Sequence, residues 1–256
     1  MAKLSSGNIK AELEKLKDHK KAEILRRFFK TGKGEYGEGD EFLGIIVPKQ
    51  RIVAKKFVEA PLSEVKILLN SKIHEHRFTA IAILVQKYKK AKDLGEKKKI
   101  AEFYLQNRRK INNWDLVDLS APNVVGNWLW LTKMAGASTP ALKSFPIIPL
   151  NDFPILFDLA RSPVLWDRRI AVLSSFEFIK NGHFDTSLCL AELLLKDPHD
   201  LIHKALGWML REIGKRSLPA EKKFLDKYAK DMQRTMLRYA IEKFPEKERK
   251  RYLRLI

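Results

Sequence analysis

Arg77-Phe78-Thr79-Ala80-Ile81 decides how this chain is read, because its pattern returns twice further on. Arg168-Arg169-Ile170-Ala171-Val172 and His203-Lys204-Ala205-Leu206-Gly207 again set a basic residue ahead of small and aliphatic ones. Each opens a segment whose apolar residues recur at three- and four-residue spacing, the period of a helix buried on one face. A shorter helical segment precedes each of them. The predicted pairs are 61–70 with 75–90, 94–108 with 113–132, 151–161 with 165–180, 184–196 with 199–216, and 219–229 with 231–244. A last short helix follows Pro245.

Units that recur every 30 to 50 residues, each unable to bury its face except against its neighbours, define a stack. The fold predicted is all-α: an α-solenoid of HEAT-like helix pairs forming one curved domain over residues 1–256. Its second helices line a concave face, and basic residues at their starts make that face positive. Before the pairs, two helices are expected at 8–19 and 21–30, then an irregular loop over 31–47. Gly32, Gly34 and Gly37 in that loop match the dinucleotide pattern G-x-G-x-x-G letter for letter. No strand precedes it, and Glu35, Glu38 and Asp40 would repel a pyrophosphate, so a flexible loop is expected instead. Residues 133–150 hold Pro140, Pro146 and Pro149 with Gly136 and Ser138, which reads as an inserted loop between repeats.

The charge points to a partner. Fifty Lys and Arg against 31 Asp and Glu leave a net +19 on 256 residues, 45% of them hydrophobic. A core can therefore be buried, and the surplus suits a polyanion rather than a neutral substrate. Nucleic acid is the leading partner class and an anionic membrane surface the second. Ten Lys and Arg against three acids in residues 87–110 concentrate the surplus locally. The single cysteine, Cys189, excludes an internal disulfide and a Cys-rich zinc site. The N-terminus lacks the apolar core of a signal peptide, and no apolar run is long enough to span a bilayer. A soluble, cytoplasmic protein, nucleoid-associated in use, is expected.

Chemistry concentrates in Ile111-Asn112-Asn113-Trp114-Asp115-Leu116-Val117-Asp118. Asn112 or Asn113 can cap a helix that Trp114 opens, and Asp115 falls where free amides and the dipole stabilise a carboxylate. Asp118 lies beyond the first turn, four residues from Trp114 and so on the same face. A flat apolar wall beside a negative charge is a place to stabilise a cation; the alternative is a half-buried Trp114 with Asp118 paired to a surface Arg. Trp208 lies one turn beyond Lys204 and three residues before Arg211, beside basic side chains on one face. Trp166 opens Trp166-Asp167-Arg168-Arg169, and for it, as for Trp208, a core position is the alternative. Trp128 and Trp130 have no charged partners at helical spacing and are assigned to packing. His199 and His203 stand four apart, but Asp197-Pro198 reads as a cap with Pro at the first helical position, leaving His199 in the first turn with no third ligand nearby. His74 and His76 would face different sides of a helix. Cys189, among leucines, has the setting that raises a thiol pKa.

Phe42-Leu43-Gly44-Ile45, Pro48, Trp114-Asp115-Leu116-Val117-Asp118, Trp166-Asp167-Arg168-Arg169 and Ala205-Leu206-Gly207-Trp208-Met209-Leu210-Arg211-Glu212 follow one another in that order. Together, from about Leu25 to about Phe244, the set resembles the AlkD family of DNA alkylation repair glycosylases. The resemblance implies a C-shaped HEAT-like solenoid holding duplex DNA on its concave face. It implies a monofunctional alkylpurine glycosylase of base excision repair, a hydrolase that removes cationic N3- and N7-alkylated purines without a metal, a cofactor or a base-flipping pocket. The catalytic carboxylate would be Asp118, with Trp114, Trp208 and Arg169 around it; Arg168, Lys204, Arg211 and Lys215 would meet the DNA, and the protein would act as a monomer. Two positions depart from some members: Ile46 stands where they carry glutamine and Phe28 where they carry tyrosine. The alternative function is a catalytically silent HEAT-repeat protein that binds damaged or branched DNA.

Overall fold

Ser5, Asp18, Asp93, His199 and Ser217 each accept a hydrogen bond from a backbone amide two or three residues on, and each starts a helix. Elsewhere Pro48 and Pro154 enter the first turn, where a missing N–H costs nothing. The computed structural model describes residues 4–135 and 153–255. These residues are helical, as expected, with no strand among them and only an isolated bridge between Glu41 and Ile73. No helix among them is long and apolar enough to cross a membrane.

The helices gather into two compact units, Met1–Ser120 and Ala121–Ile256. The first holds α1 (Ser6–Glu14), α2 (His19–Phe28), α3 (Val47–Lys56), α4 (Leu62–Leu69), α5 (His74–Lys90), α6 (Leu94–Gln106) and α7 (Trp114–Ser120). Helix α5 is its axis, with α3, α4, α6 and α7 all packed on it. Its residues from His74 to Val85 are buried on every side, as a helix surrounded by others must be.

The segment between α2 and α3, expected as a flexible loop, is instead fastened at both ends. Gly37 N donates to Lys30 O at 3.0 Å, and a Cβ there would stand 2.4 Å from Phe29 O. His74 N donates to Glu41 O at 2.8 Å. The buried Glu75 carboxylate accepts from the amides of Leu43, Gly44 and Ile45 at 3.0, 2.8 and 3.1 Å. Gly44 has φ +84°, and a Cβ would meet Asp18 O at 2.0 Å, so glycine is required. The glycine-rich pattern is no phosphate cradle: the amides of Gly32 and Gly34 are taken by the carboxylates of Glu35 and Glu38.

The second unit opens with a π-helical turn at Pro122–Gly126, followed by α8 (Asn127–Met134), α9 (Pro154–Ala160), α10 (Leu165–Ser174), α11 (Phe176–Lys180), α12 (Asp185–Leu193), α13 (Asp200–Gly214), α14 (Leu218–Tyr228), α15 (Arg234–Ala240) and α16 (Glu246–Leu253). The helix expected over 113–132 is thus interrupted. Pro122 has no N–H to donate and displaces the ladder, and Gly126 N bonds Ala121 O, five residues back, at 2.9 Å. The segment expected over 165–180 likewise divides at Ser175. Of the expected insertion over 133–150, Lys133 and Met134 end α8, and 136–152 lie outside the described residues. Asp197 does not cap the following helix with Pro198 inside it; His199 is the cap, and Asp197 accepts from His199 N instead.

Candidate functional site

Helix α7 begins where Asn113, fully buried, bonds the Trp114 amide through Oδ1 at 2.8 Å and the Val117 amide through its carbonyl at 3.1 Å. Leu116 and Val117 are sunk in the core, which turns Trp114 and Asp118, both half-buried, to the other face. The indole stacks on Phe29, centroids 5.2 Å apart and planes at 22°. Phe28 meets its edge at 5.8 Å and 72°. Trp114 Nε1 donates to the Tyr36 hydroxyl at 3.3 Å. Phe28 is 60% exposed, so this aromatic wall reaches the solvent beside a carboxylate one turn along the helix.

Behind the wall lies a buried ionic network. His74 Nε2 stands 2.8 Å from Asp115 Oδ2 and its Nδ1 3.2 Å from Asp40 Oδ2. The same Asp40 oxygen pairs with Arg77 at 2.7 Å. Burial alone would strip the proton from His74; the Asp115 charge and hydrogen bond, with the bond to Asp40, outweigh it and hold the imidazolium up to about 9. Burial works against ionisation of Asp40 too, but the bond to His74 and the Arg77 charge keep its carboxyl below the usual range. The imidazole ring also stacks on Phe42, at 4.8 Å and 19°, and lies 4.8 Å from Phe29. Asp115 is therefore more than a helix-start carboxylate: it is the counter-ion of a buried cation. His76, as its spacing required, faces elsewhere and bonds Ser71.

The remaining candidates lie in the second unit, on α10 and α13, which pack together. Arg169 is 5% exposed and donates to Leu201 O at 2.5 Å, tying α10 to the start of α13. Arg168, expected among the DNA-contacting residues, is committed within the fold: its Nε pairs with Asp197 at 2.6 Å and its Nη1 reaches the carbonyls of Ser162 and Pro163. Trp208 is half-buried, donates from Nε1 to Glu212 at 3.3 Å and lies 5.9 Å from the Phe176 ring. Glu212 also binds Lys215 and Arg216. Lys204 pairs with Asp200 one turn back at 2.6 Å, and Arg211 with Glu242. Lys204 and Lys215 keep 39% and 46% of their side chains exposed.

The other candidates take structural places. Trp128 and Trp166 are buried, and Trp130 packs against Phe178 and His183. His203 bonds the Asp197 carbonyl, and among the described residues no group of three or more His, Cys, Asp or Glu could hold a metal ion. Burial, with Asp185 and Glu192 nearby, pushes the Cys189 thiol up. Sequence reasoning missed Phe29 and Tyr36 and gave no place beside Trp114 to His74 or to Phe42 of the quoted motif; these four build the site from behind. Trp114 stands 85 positions from Phe29 and 78 from Tyr36, and His74 32 from Phe42 and 34 from Asp40, and no local spacing signals such contacts.

Residues 9–244 match the family described as DNA alkylation repair enzyme. Among solved structures, a "Predicted DNA alkylation repair enzyme from Enterococcus faecalis" aligns at a TM-score of 0.66 over 90% of this chain and 97% of that one. At 17% identity this likeness concerns the fold alone. No curated protein matches the chain.

Proposed function

The chain belongs to the family of DNA alkylation repair enzymes, and from that premise we propose that it is a monofunctional DNA glycosylase that releases cationic N3- and N7-alkylated purines from duplex DNA. The observation that carries the reading is α7, with a solvent-reaching aromatic wall at Trp114 and a half-buried carboxylate one turn on.

A purine alkylated at N3 or N7 already bears positive charge and leaves without being protonated, so the reaction asks for no general acid and no Lewis acid. As the N-glycosidic bond breaks, positive charge develops on the deoxyribose as an oxocarbenium ion. Asp118 would stabilise that charge and orient the attacking water, accepting its proton as the new C1′–O bond forms. Trp114, backed by Phe29, would pack on the sugar and exclude bulk water, which strengthens the interaction of Asp118 with the cation. Trp208 is assigned to a second apolar wall. Lys204, Arg211 and Lys215 are assigned to phosphate contacts. Arg169, buried against Leu201, is assigned to holding the start of α13 on which Lys204 and Trp208 depend. The proposed setting is intracellular, on chromosomal DNA, with the protein acting as a monomer.

The test is release of 7-methylguanine from methylated duplex by the purified protein under single-turnover conditions. Asp118→Asn keeps the shape and removes the charge, and loss of one well-placed electrostatic group costs on the order of 3 kcal/mol, a hundredfold or more in rate. Excision should collapse while DNA affinity holds or rises. Equal rates for the two proteins would rule out Asp118. If neither excises, the chain is a silent binder of damaged or branched DNA.

A further inference from the structure

We propose that His74 is a positioning residue for the Trp114–Asp118 face: bonded to Asp115 through one ring nitrogen and to Asp40 through the other, it fixes the start of α7 and so the indole and the carboxylate. The inference deepens the glycosylase reading and rests on it for any effect on rate, whereas the positioning can be read without a reaction.

Two routes connect His74 to the wall. The first is polar: Asp115 directly follows Trp114, and its Oδ2 stands 2.8 Å from His74 Nε2. The second is aromatic: the imidazole lies 4.8 Å from Phe29, and Phe29 stacks at 5.2 Å on Trp114. A neutral imidazole has one N–H, and only the imidazolium donates from both nitrogens. With carboxylates at both nitrogens, the pair of contacts is fully bonded only in the charged ring. The charged groups facing it are Asp115 from α7, Asp40 from the segment between α2 and α3, and Arg77 from its own helix. Glu75 on the same helix is committed to three backbone amides. Beyond Asp40, a cleft is lined by Glu14, Lys17, His19, Arg26 and Glu41. Arg77 offsets Asp40, so the Asp115 charge is left to the imidazolium. Loss of the proton removes one of the two bonds and loosens α7 at the residue next to Trp114. The site then carries an alkaline switch, closed while His74 is charged.

The experiment follows the Trp114 indole N–H by 1H–15N spectroscopy from pH 7 to 10, assigned with Trp114→Phe, beside single-turnover excision of 7-methylguanine on one methylated duplex. In the wild type the indole signal and the rate should change together with a midpoint near 9, the value at which Asp115 and Asp40 hold His74. Tyr36→Phe, which removes the phenol bonded to the indole, should leave that midpoint in place. His74→Gln should abolish the transition and slow excision roughly tenfold or more at pH 7, as misplacement of a reacting group does, with DNA affinity unchanged. Asp40→Asn, a milder change should His74→Gln not fold, should lower the midpoint. An indole signal flat from pH 7 to 10, or a wild-type rate in folded His74→Gln, overturns the proposal. If the indole transition is present and no purine is released, the positioning stands and the glycosylase reading falls.

Discussion

Asp115 and Asp118 stand on one helix with different places already legible in the sequence, Asp115 in the first turn and Asp118 beyond it on the Trp114 face; the structure adds that Asp115 faces the buried His74. The N-terminal place of Asp115 suggested a stabilising role of about 1 kcal/mol, the usual scale for a helix-start carboxylate. Its contact with the buried His74 imidazolium raises that: removing one partner of a buried ion pair costs about 3 kcal/mol. Asp115→Asn should therefore lower the urea midpoint at pH 7 markedly, and an unchanged midpoint would remove the counter-ion role from Asp115. The same imidazolium makes stability depend on pH. Its folded pKa, about 9, lies above the ordinary 6.5, so its contribution is whole below 6.5 and is lost as pH rises through 9. The difference corresponds to about 3 kcal/mol. Glu221 acts in the same direction: burial pushes its carboxyl up to about 8, against the pull of Arg211, so stability falls as pH rises from 4.5 toward 8. Urea titrations at pH 5, 7 and 9.5 should show falling stability. Glu221→Gln should remove part of the loss between 5 and 7 and His74→Gln part of that between 7 and 9.5. Unchanged slopes in both variants would show that other groups govern the alkaline limb.

At the scale of elements, the helical spans were legible because they rest on local periodicity, and α5 begins and ends within a residue of the span predicted for it. What was not legible depends on close approach between segments far apart in sequence. The break at Pro122 was hidden inside an otherwise helical pattern, and the fastened loop before α3 depends on Glu75, more than 30 positions away. Glycines record these approaches. A Cβ on Gly126 would stand 2.2 Å from Ser174 O, where the π-turn meets α10. One on Gly207 would stand 2.4 Å from Met236 O and 2.5 Å from Tyr239 Cβ, where α13 meets α15. Backbone atoms cannot swing aside, so Gly126→Ala and Gly207→Ala should each cost about 1–3 kcal/mol, the usual price of overpacking. Gly7, exposed on α1, would meet nothing nearer than Ser5 Oγ at 3.9 Å. Gly7→Ala should stabilise by about 0.5–1 kcal/mol, because alanine loses less freedom in a helix. Chemical denaturation of the three variants decides the matter: a loss at Gly7 or a gain at Gly126 would show that fit does not set the sign.

For the molecule as a whole, the +19 charge was the clearest functional signal in the sequence, and the structure separates its cations by how each is held. Arg168 is bound inside the fold by Asp197 and two carbonyls, whereas Lys204 and Lys215 on α13 keep 39% and 46% of their side chains exposed. Arg211 pairs with the exposed Glu242, a partner a phosphate can replace. These classes predict different behaviour on DNA. Each phosphate neutralised releases counterions, so log affinity should fall with log salt at roughly −0.9 per contact, and a footprint of about six contacts would lose roughly a thousandfold between 50 and 200 mM salt. Lys215→Ala and Arg211→Ala should each weaken binding alike on all sequences and lower the slope by about 1. Arg168→Ala should leave the slope intact and instead lower the melting temperature, because it leaves the 2%-exposed Asp197 carboxylate without its cation. Fluorescence anisotropy on one unmethylated duplex across that salt range, with thermal melts beside it, reads both quantities. Affinity that stays flat with salt would defeat the polyanion reading, and a slope lowered by Arg168→Ala would return that arginine to the DNA-binding surface.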